Sequence, residues 1–233
     1  MKADLLVVRD LIKNYLVGTP LEAHVLKGIT FRVSGGEFVA IVGQSGSGKS
    51  TLLNILGALD QPTSGLVSID GVDISELDSL GLAYLRNEKI GFVFQFHHLM
   101  NEFSCLENAL MPIIIRRGRA TDQEKERVLR LMNRVGLSQV VHKRANQISG
   151  GQQQRVAIVR ALSNQPALIL ADEPTGNLDS NSSREVFAMM REMTAEDGVT
   201  FMMVTHDDRL AEQADRIFRI EDGLVSISDG LKP

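Results

Sequence analysis

The chain has 233 residues, with 25 Lys or Arg and 29 Asp or Glu, so its formal net charge is −4. This length predicts one large domain or two small ones, able to fold without a metal or a disulfide. The composition, 43% hydrophobic and 23% charged, excludes disordered and collagen-like proteins, and the mild acidity argues against wrapping nucleic acid by bulk charge.

The first third of the chain has an extended, hairpin-rich pattern. Predicted strands cover Leu5–Val8, Val25–Val33 and Gly65–Ile69, with turns at residues 34–36 and 70–71. This pattern predicts an antiparallel β region at the amino terminus.

Four short apolar runs follow along the chain and predict buried strands. They are Phe38–Val42, Ile90–Phe94, Ala167–Ala171 and Val199–Val204. Continuous rather than alternating apolar runs are typical of a parallel sheet covered on both faces, so we predict an α/β fold. Ligands of such sheets bind beyond the carboxyl ends of the strands, where this chain has a glycine loop, an amide, two carboxylates and an imidazole.

Helical patterns occupy the intervals between these runs. Thr121 and Glu124 form a capping box before an apolar stripe that ends at Gly136, and Ser182 with Glu185 predicts a second box. The stripe after the second box, Val186, Met189, Met190 and Met193, is expected to face the core. We predict a single domain over residues 1–233, with a helical subdomain, 97–150, inserted within it.

A glycine-rich motif comes directly after the first apolar run. It consists of Gly43, Gln44, Ser45, Gly46, Ser47, Gly48, Lys49, Ser50 and Thr51, the pattern G-x-x-x-x-G-K-[ST] between a strand and the apolar segment Leu52–Leu56. Its backbone N–H groups and the following helix N-terminus suit phosphate. We expect Lys49 to reach the β- and γ-phosphates, Ser50 to ligate Mg²⁺, and Thr51 to lie near the α-phosphate. The motif predicts binding of a nucleoside triphosphate.

An acidic pair ends the third apolar run. Asp172 suits the acid that holds Mg²⁺ through its water shell, and Glu173 is placed to polarise an attacking water. Most such pairs simply end a strand at a turn exposed to solvent. Here the phosphate loop earlier in the chain favours a catalytic role for the pair.

A second helix start faces phosphate at residues 148–152. Ser149 is expected to cap this helix, while Gly150, Gly151 and Gln152 leave backbone N–H groups at its positive end. The stretch from Ile148 to Ala157 resembles the signature of ATP-binding cassette (ABC) ATPases, which combine it with a phosphate loop.

The resemblance extends across nearly the whole chain and implies further roles. It implies a P-loop NTPase (RecA-like) core, with Tyr15 stacked on adenine and Gln95 touching Mg²⁺. It also implies that Asp179 lies in a loop crossing to a second subunit and that His206 contacts the γ-phosphate. Two cassettes would bind ATP between one chain's phosphate loop and the other's Ser149–Gly151, forming an ATP-dependent homodimer.

Residues near Gln95 indicate which subgroup of ABC ATPases the chain resembles. The segment from Gln95 to Leu99, Gln-Phe-His-His-Leu, resembles the ATPase subunits of lipoprotein-releasing systems. The alternatives are macrolide or peptide exporters and cell-division complexes and, less favoured, ABC ATPases that act on DNA or ribosomes. We expect docking on integral membrane permease subunits at the cytoplasmic face of the bacterial inner membrane, and no nucleic-acid partner.

Three other features receive plainer interpretations. His97 and His98 are adjacent, and no carboxylate or Cys lies at a spacing suited to a shared metal ion. We therefore expect them to pack within the protein or to contact a docked partner. Cys105 is the only cysteine and suits a reducing compartment. The longest apolar stretches fall short of the about 20 residues that span a bilayer, so we expect a soluble chain.

Overall fold

The computed structural model describes residues 4–230 and contains two β-sheets. The strands of the first are β1 (Asp4–Tyr15), β2 (Ala23–Ser34), β4 (Ser64–Ile69) and β5 (Val72–Asp73). Those of the second are β3 (Phe38–Val42), β6 (Ile90–Phe94), β7 (Leu168–Asp172), β8 (Thr200–Val204), β9 (Arg216–Glu221) and β10 (Leu224–Asp229). Their spatial orders are β2-β1-β4-β5 and β10-β9-β3-β8-β7-β6.

Seven α-helices surround these sheets in the described part of the chain. They are α1 (Lys49–Leu56), α2 (Ser79–Lys89), α3 (Cys105–Arg117), α4 (Asp122–Arg134), α5 (Gly150–Leu162), α6 (Ser180–Asp197) and α7 (Asp208–Ala211). Short 3-10 helices cover Ile74–Glu76, Ser138–Val140 and Ala145–Gln147.

The six-stranded sheet is covered on both faces, as its apolar strands require. Along β3, Phe38, Ala40 and Val42 enter one hydrophobic cluster, which also holds buried residues of α3 to α6. Val39 and Ile41 enter a second cluster, which holds α1 and the four-stranded sheet. The strands β3, β6, β7, β8 and β9 are parallel, so the predicted α/β fold with a buried parallel sheet is confirmed.

The predicted strands of the core match closely, whereas those of the first sheet are longer than expected. The β3 and β6 bounds agree with the prediction, and β7 and β8 each begin one residue later. Strands β1 and β2 each run for 12 residues, because their alternating burial continues past the apolar stretches that were recognised. The predicted turn at residues 70–71 joins β4 to β5, with φ of +51° at Asp70 and +79° at Gly71.

One predicted capping box is present and the other is wrong. At α4, the Thr121 hydroxyl accepts from the Glu124 N–H, and the Glu124 carboxylate accepts from the Thr121 N–H. At α6 the cap is Asp179, three residues before Ser182, and its carboxylate accepts from the N–H groups of Asn181 and Ser182. A carboxylate caps a helix as well as a hydroxyl does, so the helix starts earlier.

Residues 97–150 contain α3, α4 and two 3-10 helices, inserted between β6 and β7. Buried side chains of α3 and α4 belong to the same hydrophobic cluster as those of α5 and α6. The segment therefore lies on the face of the six-stranded sheet that α6 also covers. We propose these bounds, 97–150, for a helical subdomain.

Candidate active site

Four neighbouring strands of the parallel sheet bring the predicted site residues to one edge. The phosphate loop follows β3, Gln95 follows β6, Asp172 ends β7 with Glu173 behind it, and His206 lies two residues after β8. Because β3, β8, β7 and β6 are adjacent and parallel, their carboxyl ends lie side by side. The sheet therefore collects a cationic loop, an amide, two carboxylates and an imidazole in one region.

The phosphate loop curls around the Lys49 ammonium group. Lys49 Nζ donates to the carbonyl oxygens of Gly43 and Gln44, at 2.8 Å each, and the side chain is buried. Helix α1 starts at Lys49 after Gly48, whose φ is +108°, and no side chain caps it. The first N–H groups of α1 therefore lack a side-chain acceptor, which suits an anion.

Gly43 and Ser47 show how closely this loop is packed. A Cβ at Gly43 would lie 2.2 Å from the carbonyl oxygen of Ile220 and 2.8 Å from Ser47 Oγ, so only glycine fits there. The Ser47 hydroxyl is buried and has no hydrogen-bond partner within residues 4–230. Buried polar groups are normally paired, so an unpaired hydroxyl inside this loop fits a ligand-binding cradle.

Asp172 and Glu173 face basic groups across the site. Burial raises the pKa of Asp172, and the negative charge of Glu173 raises it further, whereas the charges of Lys49 and His206 act in the opposite direction. Glu173 Oε1 lies 2.6 Å from His206 Nε2. The structure thus brings the predicted acidic pair together with Lys49 and His206, which were predicted from two other parts of the sequence.

The Glu173 backbone adopts an unusual conformation. Its φ is +47°, in the left-handed region that non-glycine residues seldom occupy, and its N–H donates to the Val204 carbonyl oxygen at 3.0 Å. Such a conformation costs on the order of 1–3 kcal/mol and persists only where the surroundings impose it. Here it turns the Glu173 side chain away from the line of β7 and onto His206.

Gln95 contacts the loop that precedes α6. Its side-chain N–H donates to Asn177 Oδ1 at 3.1 Å, and the Asn177 amide donates back to the Gln95 carbonyl oxygen at 3.2 Å. This pairing leaves Gln95 Oε1 as its remaining acceptor. The predicted contact between Gln95 and Mg²⁺ stays a prediction.

Tyr15 is held by two residues that the sequence analysis missed. Its hydroxyl donates to Asp60 Oδ2 at 2.7 Å, and Lys13 Nζ binds Asp60 Oδ1 at 2.6 Å and lies 4.7 Å from the Tyr15 ring centroid. Burial raises the pKa of Tyr15, the Asp60 hydrogen bond raises it further, and a hydrogen bond with Thr51 lowers it. The ring therefore lies beside the first turn of α1.

The alternation of side chains between the two faces of β1 could have predicted that Lys13 lies beside Tyr15. Lys13 and Tyr15 are two residues apart on one strand, so they share a face of the sheet. Asp60, by contrast, comes 45 residues later, and only the fold places it beside Tyr15.

The predicted signature turn is a capped helix start. The Ser149 hydroxyl accepts from the Gln152 N–H at 3.3 Å, and the Gln152 side chain accepts from the Ser149 N–H at 3.0 Å. Gly150 and Gly151 are the first residues of α5. Within residues 4–230, no hydrogen bond joins this turn to the phosphate loop of the same chain. Gly151 instead packs on Ser182 of α6, the helix that Asp179 caps.

Comparison with known sequences assigns the chain to a protein family. The sequence model of the family described as ABC transporter matches residues 26–176. The chain belongs to this family. It is an ABC-type ATPase, an enzyme that binds ATP.

Three related proteins match nearly all of the chain. The lipoprotein-releasing system ATP-binding protein LolD 1 of Rhodopseudomonas palustris is 50% identical, with 96% of this chain and 99% of the relative covered. The protein LolD of Anaeromyxobacter dehalogenans is 52% identical, with 94% and 90% covered. The macrolide export ATP-binding/permease protein MacB of Syntrophobacter fumaroxidans is 49% identical, with 97% of this chain but 32% of the relative covered.

A solved structure supports the fold assignment. A dimeric ATP-binding cassette in a post-hydrolysis state with ADP and Pi has a TM-score of 0.85 and 40% identity, and 98% of this chain and 99% of that one are covered. In residues 4–230 of this chain, no helix is both long enough and apolar enough to cross a membrane.

Proposed function

We propose that this chain is the ATP-hydrolysing motor subunit of a membrane complex that releases lipoproteins from the inner membrane toward the outer membrane. The observation that carries the proposal is the match, over nearly the full length of both chains, to two lipoprotein-releasing ATP-binding proteins. The chain would lie on the cytoplasmic face of the bacterial inner membrane, attached through integral permease subunits. The segment from Gln95 to Leu99 would contact those subunits.

The arrangement of Lys49, Glu173 and His206 supports hydrolysis at this site. Lys49 and the N-terminus of α1 would hold the β- and γ-phosphates. Glu173 would accept a proton from a water that attacks the γ-phosphorus, and the bond to the bridging oxygen would break to give ADP and phosphate. His206, already in contact with Glu173, would orient this carboxylate and contact the γ-phosphate.

The donor set at the strand ends fits Mg²⁺. Ser50, Gln95 and Asp172 offer a hydroxyl, an amide oxygen and a carboxylate, the oxygen ligands that this ion prefers. Within the described residues no group of three or more His, Cys, Asp or Glu forms a metal cluster. The ion would be held by these few protein ligands and by the substrate's phosphates, and it would neutralise phosphate charge.

Two copies would complete each site. Ser149 and Gly150, at the start of α5, are exposed, and within residues 4–230 this turn makes no hydrogen bond to its own phosphate loop. The structurally similar cassette is a dimer. We therefore propose an ATP-dependent homodimer in which each ATP lies between Lys49 of one chain and Ser149 of the other.

Copurification tests the lipoprotein-releasing role. A tagged chain, extracted with its membrane partners in mild detergent, should bring down a lipoprotein-releasing permease, identified by mass spectrometry. The Phe96→Asp variant should lose this permease, because the Phe96 side chain is 66% exposed next to Gln95. Leu224→Asp is the matched control, since Leu224 is 56% exposed on β10, at the sheet edge opposite β6.

The recovered partner decides between the candidate complexes. A permease of the macrolide or cell-division type would support the alternative, and the MacB match is the observation behind its macrolide form. Recovery of no membrane protein at all would contradict both.

A further inference from the structure

The residues from Gln95 to Met100 form the first part of the connection between β6 and α3; we call it the 95–100 segment. At its start, Gln95 pairs with Asn177 of the loop before α6. Further along, the Phe96 and Met100 side chains are 66% and 51% exposed. The segment therefore presents apolar side chains outward while its first residue holds a loop of the active site.

Helix α5 holds the backbone of this segment. The Arg160 guanidinium donates to the carbonyl oxygens of His98, at 2.7 Å, and of His97, at 2.9 Å. Arg160 lies in the last turn of α5, whereas the signature turn lies at the start of the same helix, at Gly150.

Gln154, one turn into α5, adds a side-chain contact near the signature turn. Its side chain is fully buried, and its amide N–H donates to the carbonyl oxygen of Phe94 at 3.3 Å. The remaining amide oxygen, Oε1, faces His97 Nδ1 within hydrogen-bond distance. Since Oε1 only accepts, Nδ1 of His97 carries the hydrogen.

The other nitrogen of the His97 ring lies beside the signature turn itself. His97 Nε2 is 4.0 Å from the place a Cβ on Gly150 would occupy. The imidazole thus fills the space between the 95–100 segment and the first turn of α5. His97 is the only donor to Gln154 Oε1 in the part of the chain that the structure describes. A buried amide oxygen left without a donor costs free energy, so the His97–Gln154 bond keeps the two elements in one relative position.

We propose that His97 is a positioning residue that fixes the signature turn, residues 149–152, relative to the 95–100 segment through its hydrogen bond to Gln154. A displacement of the 95–100 segment would then also move the signature turn. In the proposed function, this turn contacts the ATP that is bound to a second chain. The relevance to hydrolysis rests on that proposed function, but the positioning itself is a property of the single chain.

The test compares four single variants of the otherwise natural chain and one double variant, which combines His97→Phe with Gln154→Leu. His97→Phe keeps a ring but removes the donor, and His97→Asn places an amide N–H where Nδ1 lies. Gln154→Leu removes the acceptor. His98→Phe is the matched control, because the His98 ring makes an edge-to-face contact with Phe94 and no side-chain hydrogen bond within residues 4–230.

Hydrogen–deuterium exchange of the nucleotide-free chain measures the positioning directly. We expect the amides of residues 152–154, the first in α5 with hydrogen-bond acceptors, to exchange roughly 5-fold faster or more in His97→Phe and in Gln154→Leu, with no further increase in the double variant. His97→Asn and His98→Phe should exchange as the natural chain does. Unchanged exchange in His97→Phe, or failure of His97→Asn to restore protection, would overturn the proposal.

Steady-state hydrolysis provides the second readout. His97→Phe should lower kcat roughly 5-fold at an unchanged KM for ATP, since Lys49 and its loop are untouched, and His97→Asn should recover kcat. A rise in KM with kcat unchanged would overturn the role in positioning. If the natural chain hydrolyses no ATP, the proposed function fails, and the exchange experiment still decides the His97 proposal.

Discussion

The Glu173→Gln variant should bind ATP as the natural chain does and lose nearly all turnover. Its amide keeps the size of the carboxylate but cannot accept a proton from water. Loss of a positioned base slows such reactions on the order of 10²- to 10⁴-fold, so we expect a fall in kcat of about 100-fold or more. A coupled phosphate-release assay measures the rate, and calorimetry measures ATP affinity.

A matched variant separates this effect from a general change in charge. Glu212→Gln removes an exposed carboxylate just after α7 and should leave kcat unchanged. Near-normal hydrolysis by Glu173→Gln would show that Glu173 is not the base, and a large loss of ATP affinity would assign it to nucleotide binding.

The Lys49→Ala variant should lose affinity for the triphosphate itself. In the structure the ammonium is buried within the loop and, among residues 4–230, donates only to the carbonyl oxygens of Gly43 and Gln44. A hydrogen bond to a charged group contributes about 1.5–3 kcal/mol, which corresponds to roughly 10- to 150-fold in the dissociation constant. Calorimetric titration with ATP measures the change.

The control for Lys49→Ala removes a different lysine. Lys125→Ala lies on α4, where Lys125 is exposed and 3.6 Å from Asp122, so ATP affinity should not change. Equal affinities for the Lys49 variant and the natural chain would disprove the phosphate cradle.

The parallel sheet and the phosphate loop were predictable because their signals are local. Continuous apolar runs such as Phe38–Val42 and Ile90–Phe94 identify strands buried on both faces, and the spacing from Gly43 to Lys49 dictates a loop that binds phosphate. The parallel orientation of the strands then brings Asp172 and His206 to the same edge of the sheet.

The contacts that orient these residues could not be predicted, because they join distant positions. Asp60 lies 45 residues from Tyr15, Asn177 lies 82 residues from Gln95, and Gln154 lies 57 residues from His97. No periodicity or spacing rule connects such pairs. Local signals also fail where two residues compete for one role, as Asp179 and Ser182 do at the start of α6.

The central claim is that ATP joins two copies of this chain, each phosphate loop facing the other chain's signature turn. Light scattering of the purified Glu173→Gln variant, with and without ATP, tests it most directly, because this variant should retain ATP without hydrolysing it. We predict a monomer without nucleotide and a doubling of the mass when ATP is added. A mass that stays at that of one chain under saturating ATP would contradict the account.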